Sequence, residues 1–212
     1  MQRNHGFTLI ELLVVIGILS MLFVVLLGAI GTGQAAANQF TCQANLKSLF
    51  EEMQAYKVGH QNRFPKGGGS ELIWRIWNNG EKTEKRRDLC FCPENRSKNA
   101  GASQTAPEDV SIDDLWRTKD DFSSENTDYY AIASKYKKQI SSGKQVLFAD
   151  NNVGGFNHQT KATNVIYGDG NPQSFAWDDL REQGIVPDDD PEYVLPVGPD
   201  SPVPALQRLS TR

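Results

Sequence analysis

Three cysteines, Cys42, Cys90 and Cys92, are the softest donors in this chain. In an oxidising compartment they permit a disulfide. Cys90 and Cys92 flank Phe91, so an extended backbone points both side chains to one face, and only one of them is well placed to reach Cys42. A bridge there would close a loop of about fifty residues and add a few kcal/mol of stability through the entropy of the unfolded chain. The rival is a metal site of three sulfurs with His60, whose spacing matches no standard zinc pattern. Hard oxygen donors stand in two runs, Asp150-Asn151-Asn152 and Gly168-Asp169-Gly170-Asn171. Such loops suit Ca²⁺, although neither has EF-hand spacing and the same residue types build tight turns. His158 with Asp150 or Asp169 offers a base and its orienter, against the plainer reading of a loop histidine bonded to backbone. There is no Gly-x-Ser-x-Gly elbow and no Cys-His signature, and Gly67-Gly68-Gly69 lacks the Lys-Ser/Thr of a phosphate loop. These residues predict no catalytic site, no enzyme and no required cofactor. Trp74, Trp77, Trp116 and Trp177 would line a sugar-binding face or, more plainly, pack in the core and at its rim.

The other unusual group is Glu11, which opens an apolar run. From Leu12 to Ile30 there is no charge, and Gly17, Ser20 and Gly28 are the only small interruptions. As a helix the run rises roughly 28 Å, close to the ~30 Å of a hydrocarbon core. It is apolar all round, whereas a soluble core helix keeps a polar face. A secretory signal, with Ala29-Ile30-Gly31 as a weak cleavage site, is too short to account for the run. An ordinary anchor leaves the carboxylate at the bilayer edge unexplained, at a cost of a few kcal/mol. Arg3 precedes the run and the next cation is Lys47, so the positive-inside rule puts the N-terminus in the cytoplasm and the remainder outside. The remainder is polar. The net charge is -4, and the mean hydropathy is -0.48 with a pI near 5.4. No basic excess exists to bind nucleic acid.

Gly6-Phe7-Thr8-Leu9-Ile10-Glu11-Leu12, behind a short basic leader, resembles the processing signature of type IV prepilins and type II secretion pseudopilins. The resemblance covers about the first thirty residues. It implies cleavage after Gly6 by a prepilin peptidase, N-methylation of the Phe7 amine, and a mature chain whose fifth residue is Glu11. In a fibre that carboxylate meets the Phe7 amine of a neighbour; such a pair fixes register more than it stabilises. The implied partners are the peptidase, other pilin or pseudopilin subunits, the inner-membrane assembly platform and membrane lipid. A second likeness is carried by Cys42-Gln43-Ala44-Asn45-Leu46-Lys47, Tyr56, Pro65, Cys92-Pro93 and Asp169-Gly170. These are similar to the planctomycete-type pilin-like proteins, which carry a Cys-Pro and a C-terminal Asp-Gly motif. That group places His after Asp-Gly, where this chain has Asn171. The Cys-Pro likeness implies Cys42–Cys92 as the disulfide. Major pseudopilins hold Ca²⁺ near the C-terminal sheet, which implies Asp150, Asn152 and Asp169 as ligands if the two loops meet.

The elements follow. Leu46, Leu49, Phe50, Met53 and Tyr56 or Lys57 keep helical spacing, which predicts one helix from about Thr8 to about Val58, loosened at 31–37. Asp128–Tyr136, Lys144–Ala149, Thr163–Tyr167 and Gln173–Trp177 read as strands, the last two as a hairpin around Gly168–Pro172. Glu71–Trp77 is a short helix or strand, Val110–Trp116 a short helix, and 94–108 a surface loop. The expected fold is α+β and pilin-like, a long N-terminal helix, its first half transmembrane, packed on a three- or four-stranded antiparallel sheet. The organisation is leader 1–6, membrane and fibre-core helix 7–30, outer helix 31–59, extracytoplasmic domain 60–184 and a Pro/Asp-rich tail 185–212. That tail reads as solvated and extended rather than as a docking strand. The function expected is a fibre subunit, with a non-polymerising membrane-anchored binding module as the alternative.

Overall fold

Apolar side chains without a proline carry an unbroken helix, α1 (Leu9–Gly59), in the computed structural model. The structure describes residues 8–81, 83, 86, 88–94, 127–140, 143–152, 158, 160–188, 190 and 193–210, with the side chains of 25–32 and 138–139 excepted. The predicted helix at Val110–Trp116 and the loop at 95–108 lie outside them. The chain divides into two units, Met1–Ala37 and Asn38–Arg212.

In the first unit the helix does not loosen at 31–37. Its apolar side chains face outward, Leu9 being 82% exposed and Val24 71%. Ser20 Oγ donates to Ile16 O at 2.7 Å, so the one hydroxyl in the run is satisfied within the helix. Among the described residues no helix is long and apolar enough to cross a membrane. The transmembrane span expected over 7–30 is not met on those residues.

The second unit holds the core. Cys42, Leu46, Leu49 and Met53 form the buried stripe of α1, while Lys47 and Glu51 face water. Past Gly59 the helix closes with Asn62 N–H donating to Lys57 O at 2.8 Å, Gln61 and Asn62 having φ of 55° and 59°. This is a Schellman-type end, built without glycine at its left-handed position. The segment at 71–77 is a helix, α2 (Gly69–Asn78), burying Leu72, Ile73, Ile76 and Trp77. Glu71 and Arg75 pair on its outer side at 2.9 Å.

Four predicted strands appear as β1 (Tyr129–Ile132), β2 (Val146–Asp150), β3 (Ala162–Tyr167) and β4 (Pro172–Ala176). A 3-10 turn at Ser134–Gln139 cuts β1 short of Tyr136. A fifth strand, β5 (Leu209–Ser210), makes the antiparallel order β4-β3-β2-β1-β5. Strands β1 and β2 are buried at every residue, the pattern of a sheet covered on both faces. The β3–β4 hairpin pairs Ala162 with Ala176 through Ile166 with Pro172. Its turn needs Gly170 twice over. There φ is 83°, and a Cβ would sit 2.7 Å from Phe50 Cε1. A short helix, α3 (Trp177–Glu182), follows.

The tail is not a solvated arm. Leu195, Val203, Leu206 and Leu209 are each at most 5% exposed, and β5 pairs Leu209 with Ile132 and Ser210 with Ala131. Prolines spare the backbone a ladder hydrogen bond, and the apolar residues between them reach the core. Each such burial stabilises by roughly 1.5–3 kcal/mol.

Candidate functional site

Gly6 and Phe7 lie outside the described residues. Glu11 lies in the first turn of α1, where it forms a capping box with Thr8. Glu11 Oε2 accepts from Thr8 N at 2.8 Å and from Thr8 Oγ1 at 2.7 Å, and Glu11 N donates to Thr8 Oγ1 at 3.3 Å. Thr8-Leu9-Ile10-Glu11 has the Thr-x-x-Glu spacing that signals this box. In the single chain the carboxylate therefore caps its own helix, on a surface of exposed leucine and isoleucine.

The most developed cluster of chemistry-bearing groups lies in the second unit. Cys42 comes from the buried stripe of α1. Cys92 comes from a segment stitched to its neighbours through the backbone. Cys92 N donates to Asp128 Oδ2 at 2.8 Å, and Phe91 O receives Asn45 Nδ2 at 3.0 Å and Tyr129 Oη at 3.3 Å. Asp150 ends β2, and its Oδ2 receives Asn164 N of the neighbouring β3 at 2.7 Å. Cys42 Sγ donates to Asp150 Oδ1 at 2.9 Å. His158 Nε2 faces Cys92 Sγ at 3.6 Å, Asp150 Oδ2 at 3.2 Å and Asn164 Nδ2 at 2.8 Å. His158 Nδ1 meets Glu94 Oε2 at 3.1 Å. Cys42, Cys92, Glu94 and Asp150 are 0% exposed and His158 1%.

The electrostatics are strongly coupled. Burial opposes a charged His158, but its bonds to Asp150 and Cys92 outweigh burial and push the imidazole up to about 10. The Cys42 thiol bonds to Cys92 and, against desolvation and together with His158, pulls Cys92 down to about 6. Burial, reinforced by Cys92 and Asp150, pushes Cys42 far up. Hydrogen bonding at Nε2 is contested. Asn164 Oδ1 receives Ser174 Oγ at 2.5 Å and Gln43 Nε2 at 3.3 Å, which turns the Asn164 amide nitrogen toward His158. That nitrogen asks Nε2 for a lone pair, whereas Asp150 asks it for a proton.

The structure redistributes the expected site residues. It brings Cys42 and Cys92 together, yet all three cysteines are buried thiols outside any disulfide, so the Cys42–Cys92 bridge is not formed. Cys90 turns to Arg86 O at 3.9 Å. His60 is exposed and stacks on Tyr56 with centroids 3.8 Å apart, so the three-sulfur set with His60 does not assemble. The histidine with the sulfurs is His158, held by side chains and not by the backbone. The Ca²⁺ set does not converge either. Asp169 receives Asn171 N and Nδ2 at 3.0 and 2.8 Å within its own turn. That turn lies beside the Val146 end of β2, as Val146 pairs with Tyr167, and Asp150 is at the other end, about 13 Å away at ~3.3 Å per residue. Asn152 Nδ2 instead donates to Thr163 Oγ1 at 2.7 Å and to Leu195 O at 2.9 Å, anchoring the tail. Trp77 and Trp177 are core residues, and Trp116 lies outside the described residues. Sequence reasoning missed Glu94, Asp150 as a partner of the thiols, and Asn164.

Helix, sheet and signal together define an α+β chain with a type IV pilin-like N-terminus. Residues 1–27 match the prokaryotic N-terminal methylation motif. That motif is one of a pilin- or pseudopilin-type precursor, a prepilin peptidase substrate that assembles with other pilins and is anchored outside the cytoplasm. No curated protein and no solved structure matches the chain.

Proposed function

We propose that the chain is a structural subunit of a type II secretion pseudopilus or a type IV pilus-like fibre. The single observation carrying this reading is the methylation motif over residues 1–27. In this reading prepilin peptidase cuts after Gly6 and the Phe7 amine is methylated. The uncharged run through Ile30 is stored in the cytoplasmic membrane and then extracted into the fibre by the assembly platform. The outward apolar side chains from Leu9 to Val24 support it, because a helix with no polar face needs lipid or other helices to cover it. Glu11 then exchanges its Thr8 partner for the cationic Phe7 amine of a neighbour. The subunit acts by assembly and contact, without catalysis.

The test is mass spectrometry of the mature N-terminus, made in cells that hold the peptidase. A chain beginning at methyl-Phe7 is the expected product. A chain still carrying Met1, or beginning beyond Ile30, sinks the reading. A processed chain that never co-assembles with other pilins indicates a membrane-anchored binding module instead.

A further inference from the structure

We propose that Cys42, Cys92, His158 and Asp150 form a structural Zn²⁺ site, with Glu94 as the residue that positions His158. One sulfur from each of Cys42 and Cys92 and a ring nitrogen of His158 lie within 4.8 Å of one another. Tetrahedral zinc, with Zn–S about 2.3 Å and Zn–N about 2.0–2.1 Å, sets sulfur and nitrogen about 3.6 Å apart. Cys92 Sγ and His158 Nε2 stand 3.6 Å apart. Asp150 Oδ1 lies 2.9 Å from Cys42 Sγ and Asp150 Oδ2 3.2 Å from His158 Nε2, so this carboxylate is the neighbouring acid that would supply the fourth donor, by turning toward the three-ligand set. Its Oδ2 also accepts from Asn164 N. Two thiolates, an imidazole and a carboxylate make a borderline-soft set suited to zinc.

Three further features fit a metal better than the alternatives. His158 keeps its far nitrogen on a buried carboxylate, Glu94, the outer-shell arrangement that fixes the tautomer of a metal-bound histidine. A dication at the centre would take the Nε2 lone pair and satisfy Asp150 directly, and Asn164 Nδ2, 2.8 Å from Nε2, would turn away from it. Finally, the carboxylates of Glu94, Asp128 and Asp150 are buried in and around the cluster, where a cation offsets charge that burial makes costly. A disulfide would engage the two sulfurs alone and leave the His158–Asp150–Asn164 arrangement unexplained. A nucleophilic thiol would need substrate access, and Cys42, Cys92 and His158 are at most 1% exposed. Four protein ligands with no open position make the site structural. It clamps α1, the segment after Cys90, the end of β2 and the stretch at His158 to one point.

The full chain in detergent, stripped with chelator under reductant, is titrated with Co²⁺ and with Zn²⁺. We expect one equivalent of Zn²⁺ per chain, a thiolate-to-Co²⁺ charge-transfer band, and a higher Tm with Zn²⁺. Cys42→Ser and Cys92→Ser abolish the band, and Cys90→Ser keeps it. Glu94→Gln keeps the band but weakens affinity on the order of 10–100-fold. The proposal is overturned if wild-type protein shows no band, or if Cys90→Ser loses it as fully as Cys92→Ser. It is also overturned if chain isolated without reductant carries a Cys42–Cys92 disulfide and takes up no metal after reduction.

Discussion

Glu11 completes the capping box with Thr8 in the single chain. In the proposed fibre it would be the only anion before Glu51 for a neighbour's amine to meet. Substitutions separate the two. Thr8→Ala removes the cap alone, costing about 1 kcal/mol locally, and should leave assembly intact while the first turn exchanges amide hydrogen faster. Glu11→Ala removes both, and fibre formation should fall at least tenfold by electron microscopy or co-purification. Equal assembly by the two variants would reduce Glu11 to a helix cap. At this scale the sequence announced Glu11 and the three cysteines, since a charge in an apolar run and thiols in a polar chain stand out alone, whereas the choice of Cys92 over Cys90 rested on the Cys-Pro likeness. His158 was legible with Asp150 as a base and its orienter, but Glu94, and the meeting of these groups with the thiols, did not stand out. Glu94 and Asp150 lie 64 and 8 residues from His158 with no metal-type spacing, and only the register of β2 on β3 and the path of the chain before β1 bring them together.

Elements with a strong local period or turn chemistry were legible; those resting on distant burial were not. The α1 stripe and the β3–β4 hairpin follow from i, i+3, i+4 spacing and from Gly168–Pro172. The two-residue β5 has no period to show, and the prolines and aspartates of the tail before it read as disorder until Leu195, Val203, Leu206 and Leu209 are seen in the core. Leu206→Ala should therefore cost about 2–5 kcal/mol, read as a lower urea midpoint with little change in slope. A cost under about 0.5 kcal/mol would return the tail to solvent. Gly170→Ala, strained by its φ of 83° and crowded by Phe50, should lose about 1–3 kcal/mol by the same measurement. A companion Phe50→Leu should recover part of that loss, because the ring edge is what the new methyl meets.

At the scale of the whole molecule the apolar residues divide sharply. Among the described residues every large buried hydrophobic residue lies from Cys42 onward, whereas the apolar side chains from Leu9 through Val24 are exposed. The first set is the core of the second unit; the second is a surface that water does not tolerate in isolation. This division was visible in the sequence as the contrast between an uncharged run and a polar remainder, although what covers the run was not. A chain beginning at Asn38 should then be a folded monomer without detergent, with a cooperative thermal transition and the α+β circular dichroism of the parent. The full chain should sediment as large assemblies unless detergent or lipid is supplied. Light scattering on both, at equal concentration, decides it. An aggregated or unfolded 38–212 fragment would mean that the second unit's core is incomplete by itself, and a monomeric full chain in plain buffer would mean that the exposed helix finds cover within its own molecule.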